Sequence, residues 1–492
     1  MKAKNIWLLV LTLALLAYPL AGCKGSNFKK GECPFELTEG LNIVCGKLTV
    51  PEDRSREDSP KIRIQVAVIK TDNPNPAPDP VLYLDGGPGS NTLEMISGYA
   101  MAFSQLSENR DLILFDQRGT GYSTPSLNCP EAENQWVQDW SMNLTSEDAD
   151  QNYSGALQQC HDRLAAEGID LSAYNSAATA ADVEDLRIAL GYDQWNLYGI
   201  SYGTKLALTV MRDYPDGVRS VILDSVLPLQ VDLQTTIIPN FEISLDLVFE
   251  RCAADPACAQ AYPDAKANYY KLVDMLDASP LTYNVYNSKQ AKFSDIYLNG
   301  DRFIWATFQM LYDSSQIPNL PWWVDTLQKG NDTAFGQTIW PIILSDYQFA
   351  EGMHYSVQCG EEIPFGSVND WEAANAHMTP RLVRGLDTGS YFQNCSIWSV
   401  KPAGAIEAEA VISDIPTLVL SGEFDPITPP AWGWLASATL SHSQFFEFPG
   451  YSHGVSVSSS CASGMVVSFV DDPNAPVDAS CVNSSVFEFK LK

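Results

Sequence analysis

The stretch Tyr198-Gly199-Ile200-Ser201-Tyr202-Gly203 carries a serine between two glycines, in the pattern G-x-S-x-G. The short aromatic-rich run Trp195–Tyr198 before it is strand-like, and the apolar, breaker-free run Thr204–Met211 after it reads as a buried helix. A serine at such a junction sits on a turn too tight for side chains two residues away. Gly199 and Gly203 relieve that crowding and leave Ser201 projecting from the sheet at a helix N-terminus. A serine hydroxyl is a poor nucleophile until a base takes its proton. The chain has five histidines: His161, His354, His377, His442 and His453. His161 follows a cysteine expected in a disulfide, and His354 and His377 lie in a region without strand–helix alternation. His442 precedes the final strand-like run, Gln444–Phe448, and so falls at the opposite sheet edge from Ser201. His453 follows that run at the edge where Ser201 projects, which makes it the candidate base.

The acid that fixes the histidine tautomer is expected in Ser421-Gly422-Glu423-Phe424-Asp425-Pro426, at the same edge, with Asp425 preferred over Glu423. Asp224, at the end of the strand after the serine turn, is an alternative that reads better as a turn cap. Two amides could hold a developing oxyanion: Tyr202, next to the serine, and Gly87 in Asp85-Gly86-Gly87-Pro88-Gly89. Ser201, Asp425 and His453 would together carry out acyl transfer through an acyl-enzyme.

The elements that position these residues alternate strand and helix. Leu48–Val50 and Ile62–Ile69 read as opening antiparallel strands, followed by the buried runs Val81–Leu84 and Leu112–Phe115. A helix is predicted over Thr179–Leu190, capped by Thr179 and stopped by Gly191, then the serine strand, then Val221–Asp224 and, far downstream, Pro416–Leu420. This order predicts an α/β fold with a mostly parallel sheet and helices on both faces. In the turn after Leu112–Phe115, Asp116 and Arg118 are placed to brace the glycine loop. Between about residues 230 and 401 the alternation is lost and the pattern becomes helical and tryptophan-rich, which predicts a lid inserted over the sheet. The core then spans 33–229 and 402–492. No internal repeat is evident. A mature chain of about 470 residues can hold one such domain with its insertion.

Residues 1–22 form a basic start with a short apolar run, Trp7–Leu16, and read as an export signal. It ends in Leu20-Ala21-Gly22-Cys23, which resembles the lipobox of bacterial lipoproteins. That implies cleavage before Cys23, a lipid on Cys23, a tether over 23–32, and attachment to the cell envelope; Lys24 favours the outer membrane where there is one. The ten remaining cysteines are an even number on an exported chain, so disulfides are expected. Sequence proximity pairs Cys33 with Cys45, Cys129 with Cys160, Cys252 with Cys258, Cys359 with Cys395, and Cys461 with Cys481. No spacing suits a zinc site, and neither metal nor cofactor is expected. The balance of 60 acidic to 30 basic residues, a net charge of −30, argues against nucleic acid and against anionic lipid, and would attract cationic ligands such as peptide N-termini.

With these residues placed, the chain resembles the prolyl aminopeptidase branch of the α/β-hydrolases, and more closely the secreted tripeptidyl aminopeptidase group within it. The resemblance rests on Gly86-Gly87-Pro88-Gly89, Asp116-Gln117-Arg118-Gly119-Thr120-Gly121, Gly199-Ile200-Ser201-Tyr202-Gly203-Thr204, Tyr214-Pro215, Leu223-Asp224, Asp425-Pro426-Ile427-Thr428-Pro429 and Ser452-His453-Gly454. It implies a serine exopeptidase acting on free peptide N-termini. Asp85 stands where prolyl aminopeptidases usually have histidine, which favours the tripeptidyl group. The resemblance also implies that lid carboxylates hold the substrate amine, and Glu361 and Glu362 are the candidates. A carboxylesterase or lipase on the same triad, and a non-catalytic adhesion protein, are the competing readings. The leader generates a test: Cys23→Ser should move the protein from the membrane to the soluble fraction and abolish palmitate labelling. Retention of both would place the anchor elsewhere.

Overall fold

The computed structural model describes residues 27–37, 40–287, 292–343, 349–484 and 487–491; Cys23 and the leader lie outside them. Among the described residues the strands are β1 (Phe28–Lys30), β2 (Ile43–Pro51), β3 (Lys61–Ile69), β4 (Val81–Leu84), β5 (Leu112–Phe115), β6 (Trp195–Ile200), β7 (Val218–Asp224), β8 (Leu281–Asn287), β9 (Lys292–Leu298), β10 (Thr417–Gly422) and β11 (Ser443–Phe448). All but β8 and β9 form one sheet in the order β1-β2-β3-β5-β4-β6-β7-β10-β11. β1 lies in the stretch expected to be a tether: Phe28 pairs with Leu48 in antiparallel register, so the sheet begins before Cys33.

From β5 through β11 the sheet is parallel. The strands β4, β5 and β6 are buried at every position, because helices cover both faces and leave no solvent side on which polar residues could alternate. Register aligns the strand ends: Leu84 lies beside Gly199, Ile200 beside Asp224, Asp224 beside Leu420, and Gly422 beside Phe448. The loops leaving those ends therefore open at one edge, where open α/β sheets place their ligands.

The helix before β6 spans Ser176–Leu190, three residues longer than expected at its start. Asn175, not Thr179, caps it: the Asn175 side chain accepts from the Ala178 amide at 2.8 Å, while Thr179 is buried and bonds back to the Asn175 carbonyl. Gly191 ends the helix at a φ of +83°.

The insertion between β7 and β10 is mainly helical, with an added antiparallel hairpin of β8 and β9 in which Leu281 pairs with Leu298. Its long helices, Leu233–Ala254 and Gly300–Tyr312, bury a separate core around Phe241, Leu245, Phe303 and Trp323. That core continues into Phe424 and Trp432 of the C-terminal part, so the lid is packed onto the loop after β10. Disulfides join Cys33–Cys45, Cys129–Cys160, Cys252–Cys258, Cys359–Cys395 and Cys461–Cys481. Such bonds persist in oxidising compartments, which argues for an exported chain. No helix of the described residues is long and apolar enough to cross a membrane.

The turn after β5 divides its work differently from the expectation. Asp116 does brace the segment following the glycine loop, accepting from the Leu93 amide at 2.9 Å and the Tyr122 amide at 2.7 Å. Arg118 turns the other way. It is fully buried, makes a bidentate pair with Asp182 at 2.8 Å, and donates to the carbonyls of Glu52 and Ala173. The glycine loop is held instead by Gln117, whose Nε2 donates to the Asp85 carbonyl at 3.0 Å. Removing one partner of a buried ion pair strands the other, so Arg118→Met should cost about 3 kcal/mol in urea unfolding. A loss below about 1 kcal/mol would show that Arg54, which also pairs with Asp182, carries the site alone.

Candidate active site

Ser201 is held at φ +59° and ψ −128°, a region costly for any residue with a side chain. The neighbouring glycines make that conformation possible. A Cβ on Gly199 would stand 2.4 Å from the Gly203 carbonyl oxygen, and one on Gly203 would stand 1.9 Å from the Leu84 carbonyl oxygen. The helix Tyr202–Asp213 starts at the next residue, so the Tyr202 amide is among those left without a helical acceptor. The glycine loop crosses the serine closely: a Cβ on Gly86 would meet the Ser201 Cβ at 3.1 Å. Gly87, at φ +108°, presents the second candidate oxyanion amide. Asp85 is turned away behind this loop. Its carboxylate accepts from Tyr99 at 2.8 Å and from the Gly86 amide at 2.8 Å, and burial raises its pKa against those donors.

His453 and Asp425 meet directly, with Nδ1 2.8 Å from Oδ2. Asp425 is further fixed by the amides of Ile427 (3.0 Å) and Thr428 (2.9 Å), and its Oδ2 accepts from the Thr428 hydroxyl at 2.7 Å. The same hydroxyl oxygen lies 3.1 Å from His453 Nδ1. Since that hydroxyl gives its proton to Asp425, it can only accept from the ring, which places the imidazole proton on Nδ1 and leaves Nε2 free to take one. Burial pushes the His453 pKa down, but the charge and hydrogen bond of Asp425, followed by the charge of Asp224, outweigh it and raise the pKa above the usual value. Burial likewise pushes Asp425 up, and His453 and Thr428 hold it below the carboxylate range.

The lid takes part in this arrangement. Tyr312, at the end of the helix Gly300–Tyr312, sets its ring edge-on to His453 with centroids 4.9 Å apart. Ser452 donates its amide to Ser314 at 2.9 Å and its hydroxyl to the Leu311 carbonyl, and Ser244 donates to the Phe424 carbonyl at 2.6 Å. His354 is bonded between the Pro88 carbonyl (3.1 Å) and the Tyr391 hydroxyl (2.9 Å). Burial lowers its pKa to about 4, so it stands neutral and props the glycine loop. Thr428 lies in a stretch quoted from the sequence without a role; a threonine three residues after the acid, able to reach back to it, was the available signal. Tyr312 and Ser452–Leu311 left no local signal.

Glu361 and Glu362 do not face the cleft, which corrects their assignment as amine ligands. They sit on a π-helical turn, Gln358–Glu362, and are 2% and 5% exposed. Glu361 accepts the amide and hydroxyl of Ser176 at 2.5 and 2.6 Å and lies 3.5 Å from Lys205, while Glu362 pairs with Lys205 directly. The Ser176 hydroxyl also meets the Tyr202 hydroxyl at 2.9 Å. Lys205, four residues after Ser201 and 1% exposed, needs these counter-charges. A lone lysine in the apolar run Thr204–Met211 was the sequence signal for that pairing.

A cavity of about 700 Å³ is lined by residues of the core and the lid and reaches the glycine loop through Phe349 and His354. Its wall includes Phe349, whose ring would lie 3.1 Å from a Cβ on Gly87, and Gln309, three residues before Tyr312. Trp136 and Trp305, each edge-on to Trp140 and tilted against each other, form another part of the wall with it. Asp150, Glu351 and Asp387 line it without an ion pair among the described residues, whereas Arg384 pairs with Asp301 at 2.5 Å and Arg302 donates to carbonyls. Burial, with Asp387 and Asp139 nearby, raises Asp150 to about 7; burial raises Glu351 to about 7 against a 3.0 Å bond from Tyr153.

A strand-to-helix serine, a histidine and a buried carboxylate at one sheet edge define a serine hydrolase. Comparison with known proteins agrees. Residues 79–264 match the alpha/beta hydrolase fold family and residues 384–481 match the TAP-like protein family. These matches support an α/β-hydrolase of the TAP-like family. It is 26% identical over 444 residues to the serine protease Hip1 of Mycobacterium tuberculosis, covering 84% of this chain and 82% of the relative. It is 28% identical over 205 residues to the tripeptidyl aminopeptidase of Streptomyces lividans, covering 40% and 37% of the two. A carboxylesterase B of Mycobacterium tuberculosis is 26% identical over 80% of this chain and 77% of its own. Among solved structures, a proline iminopeptidase of Mycobacterium smegmatis aligns with a TM-score of 0.40 at 15% identity, over 87% of this chain and 98% of that one.

Because the His453 pKa is raised, neutral imidazole becomes the major form only above the ordinary histidine value. The kcat/KM for an activated ester should therefore rise with pH through a limb centred above about 6.5. A limb centred below about 6 would mean that Asp425 is not charged against the ring.

Proposed function

We propose that the protein is an exported, lipid-anchored serine exopeptidase that releases short peptides from free peptide N-termini. Ser201 is the nucleophile: His453 Nε2 takes its proton as Oγ attacks the scissile carbonyl carbon, and the amides of Gly87 and Tyr202 receive the oxyanion. The tetrahedral adduct collapses as His453 returns the proton to the leaving amine, and the C–N bond breaks. Water, deprotonated by His453, then attacks the acyl-enzyme and releases the peptide fragment and Ser201. Asp425 holds the ring and balances its transient positive charge. Envelope attachment through Cys23 rests on the sequence of the leader.

The observation that carries the exopeptidase reading is the acidic cavity that reaches the glycine loop through Phe349 and His354. Its cations are engaged elsewhere, whereas Asp150, Glu351 and Asp387 meet no cation among the described residues. A buried ammonium is costly unless a carboxylate receives it, and these three supply that partner in place of Glu361 and Glu362. A cavity of this size is within the range of about 300–1,000 Å³ that encloses small ligands, and suits a short segment of chain. An ester-hydrolase reading is favoured by the relative described as a carboxylesterase, and the test separates the two.

The kcat/KM on free peptides should exceed that on their N-acetylated forms by a factor of roughly a hundred, since acetylation leaves half-buried carboxylates unpaired. Glu351→Gln should lower turnover of free peptides and spare small activated esters. Equal cleavage of free and acetylated peptides, or ester turnover alone, would replace the exopeptidase by an esterase.

A further inference from the structure

Asp224, the last residue of β7, is fully buried and borders both halves of the candidate catalytic pair. Its carbonyl accepts the amide of Ser201 at 3.1 Å. Its carboxylate accepts the amides of Val455 (3.1 Å) and Ser456 (2.8 Å), and the Ser456 hydroxyl. The next residue extends the grip: the Ser225 hydroxyl accepts the Gly454 amide at 2.8 Å and donates to Asp224 Oδ1 at 3.3 Å. The three amides that follow His453 are thus all held by Asp224 and Ser225. Tyr198, on the serine strand, donates to the Ser456 hydroxyl and closes the network from the other side. Ser225 is itself fixed at a φ of +58°, with its amide on the Leu420 carbonyl at 2.9 Å.

Resting on the serine-hydrolase reading above, we propose that Asp224 is a positioning residue that sets the separation of Ser201 and His453, holding one by its main chain and the loop of the other by its carboxylate. Burial raises the Asp224 pKa, while the Val455 and Ser456 amides and the Ser225 and Ser456 hydroxyls that donate to the carboxylate favour its ionised form. Asp224 cannot replace Asp425 as the ring partner, because Asp425 already occupies Nδ1. Its charge, after that of Asp425, raises the His453 pKa. The groups facing the ring are Asp425 from the loop after β10, Asp224 from β7, the Tyr312 ring from the lid helix, and the neutral Thr428 hydroxyl. Two carboxylates therefore serve the imidazole, Asp425 fixing its tautomer and Asp224 holding the loop that carries it.

Two readouts that do not depend on peptide specificity test this: the imidazole titration of His453 by NMR, and the rate at which a fluorophosphonate labels Ser201. Asp224→Asn keeps the shape but removes the charge and turns an amide NH2 toward donors. At equal folded fraction, the His453 midpoint should move to lower pH, and labelling should slow roughly tenfold to a hundredfold even at pH values where the ring is neutral. Ser225→Ala, which removes the Gly454 acceptor and no charge, should slow labelling without moving the midpoint. An unmoved midpoint in Asp224→Asn, or an unchanged labelling rate in either variant, would overturn the proposal. Should Asp224→Asn not fold, the labelling rate of Ser225→Ala decides. Failure to cleave peptides would count against the exopeptidase reading alone, since neither readout involves a peptide.

Discussion

The tightest constraint in the molecule is the contact of Gly203 with the Leu84 carbonyl, where a Cβ would come within 1.9 Å. It brings the helix after β6 against the end of β4, and it can exist only if the chain turns within one residue. That residue is Ser201, which takes up the turn in an unfavourable backbone conformation. The strain is local and the surrounding sheet over-determines it, because β6 is paired on both sides and buried along its whole length. The projecting serine, the Tyr202 amide left without a helical acceptor and the close passage of the glycine loop are all consequences of that one contact.

The lid is built into the site and is not merely laid over it. Ser244 holds the loop carrying Asp425, Ser452 ties the loop carrying His453 to the helix Gly300–Tyr312, and Lys205 of the serine helix is paired inside the lid with Glu362. The Tyr202 hydroxyl reaches the same buried cluster through Ser176 and Glu361. Moving the lid as a rigid body would break several buried polar contacts and strand Lys205, at a cost of several kcal/mol. Lid placement and catalytic geometry are therefore coupled.

The buried carboxylates sort by what points at them. Asp425 and Asp224 receive amide and hydroxyl donors arranged around an ionised group. Glu362 is buried against a lysine. Asp150 and Glu351 line the cavity with few donors, and burial drives both to about 7. A carboxylate left in that state gains most from an incoming cation, because the ion pair restores the charge that burial disfavours. Such groups are more informative about a ligand than the overall excess of acid, most of which is solvated surface.

What could be read in the chain alone was whatever is encoded over a few residues. The serine turn, the glycine loop, the strand that delivers His453 to the right edge and the Asp425-Pro426 turn each follow from local pattern and chain order. So did the short-range disulfides, since each closes a loop of modest length. The start of the helix at Ser176 was missed because Asn175 outcompetes Thr179 as a cap, a choice of a few residues that propensity alone does not settle. Arg118 was aimed at the glycine loop because sequence neighbours suggest contact; its true partner, Asp182, lies 64 residues away. Glu361 and Glu362 are cleft acids only by the family resemblance, which implies lid carboxylates for the substrate amine. Only the fold reveals that Lys205, from a distant helix, is buried against them. The amino-acid sequence by itself determined the class of fold, the candidate triad and its chemistry, since those depend on turn geometry and strand order. The tertiary structure alone decided which carboxylates are spent on internal cations and which line the cavity, because that depends on burial and on partners brought together from distant parts of the chain.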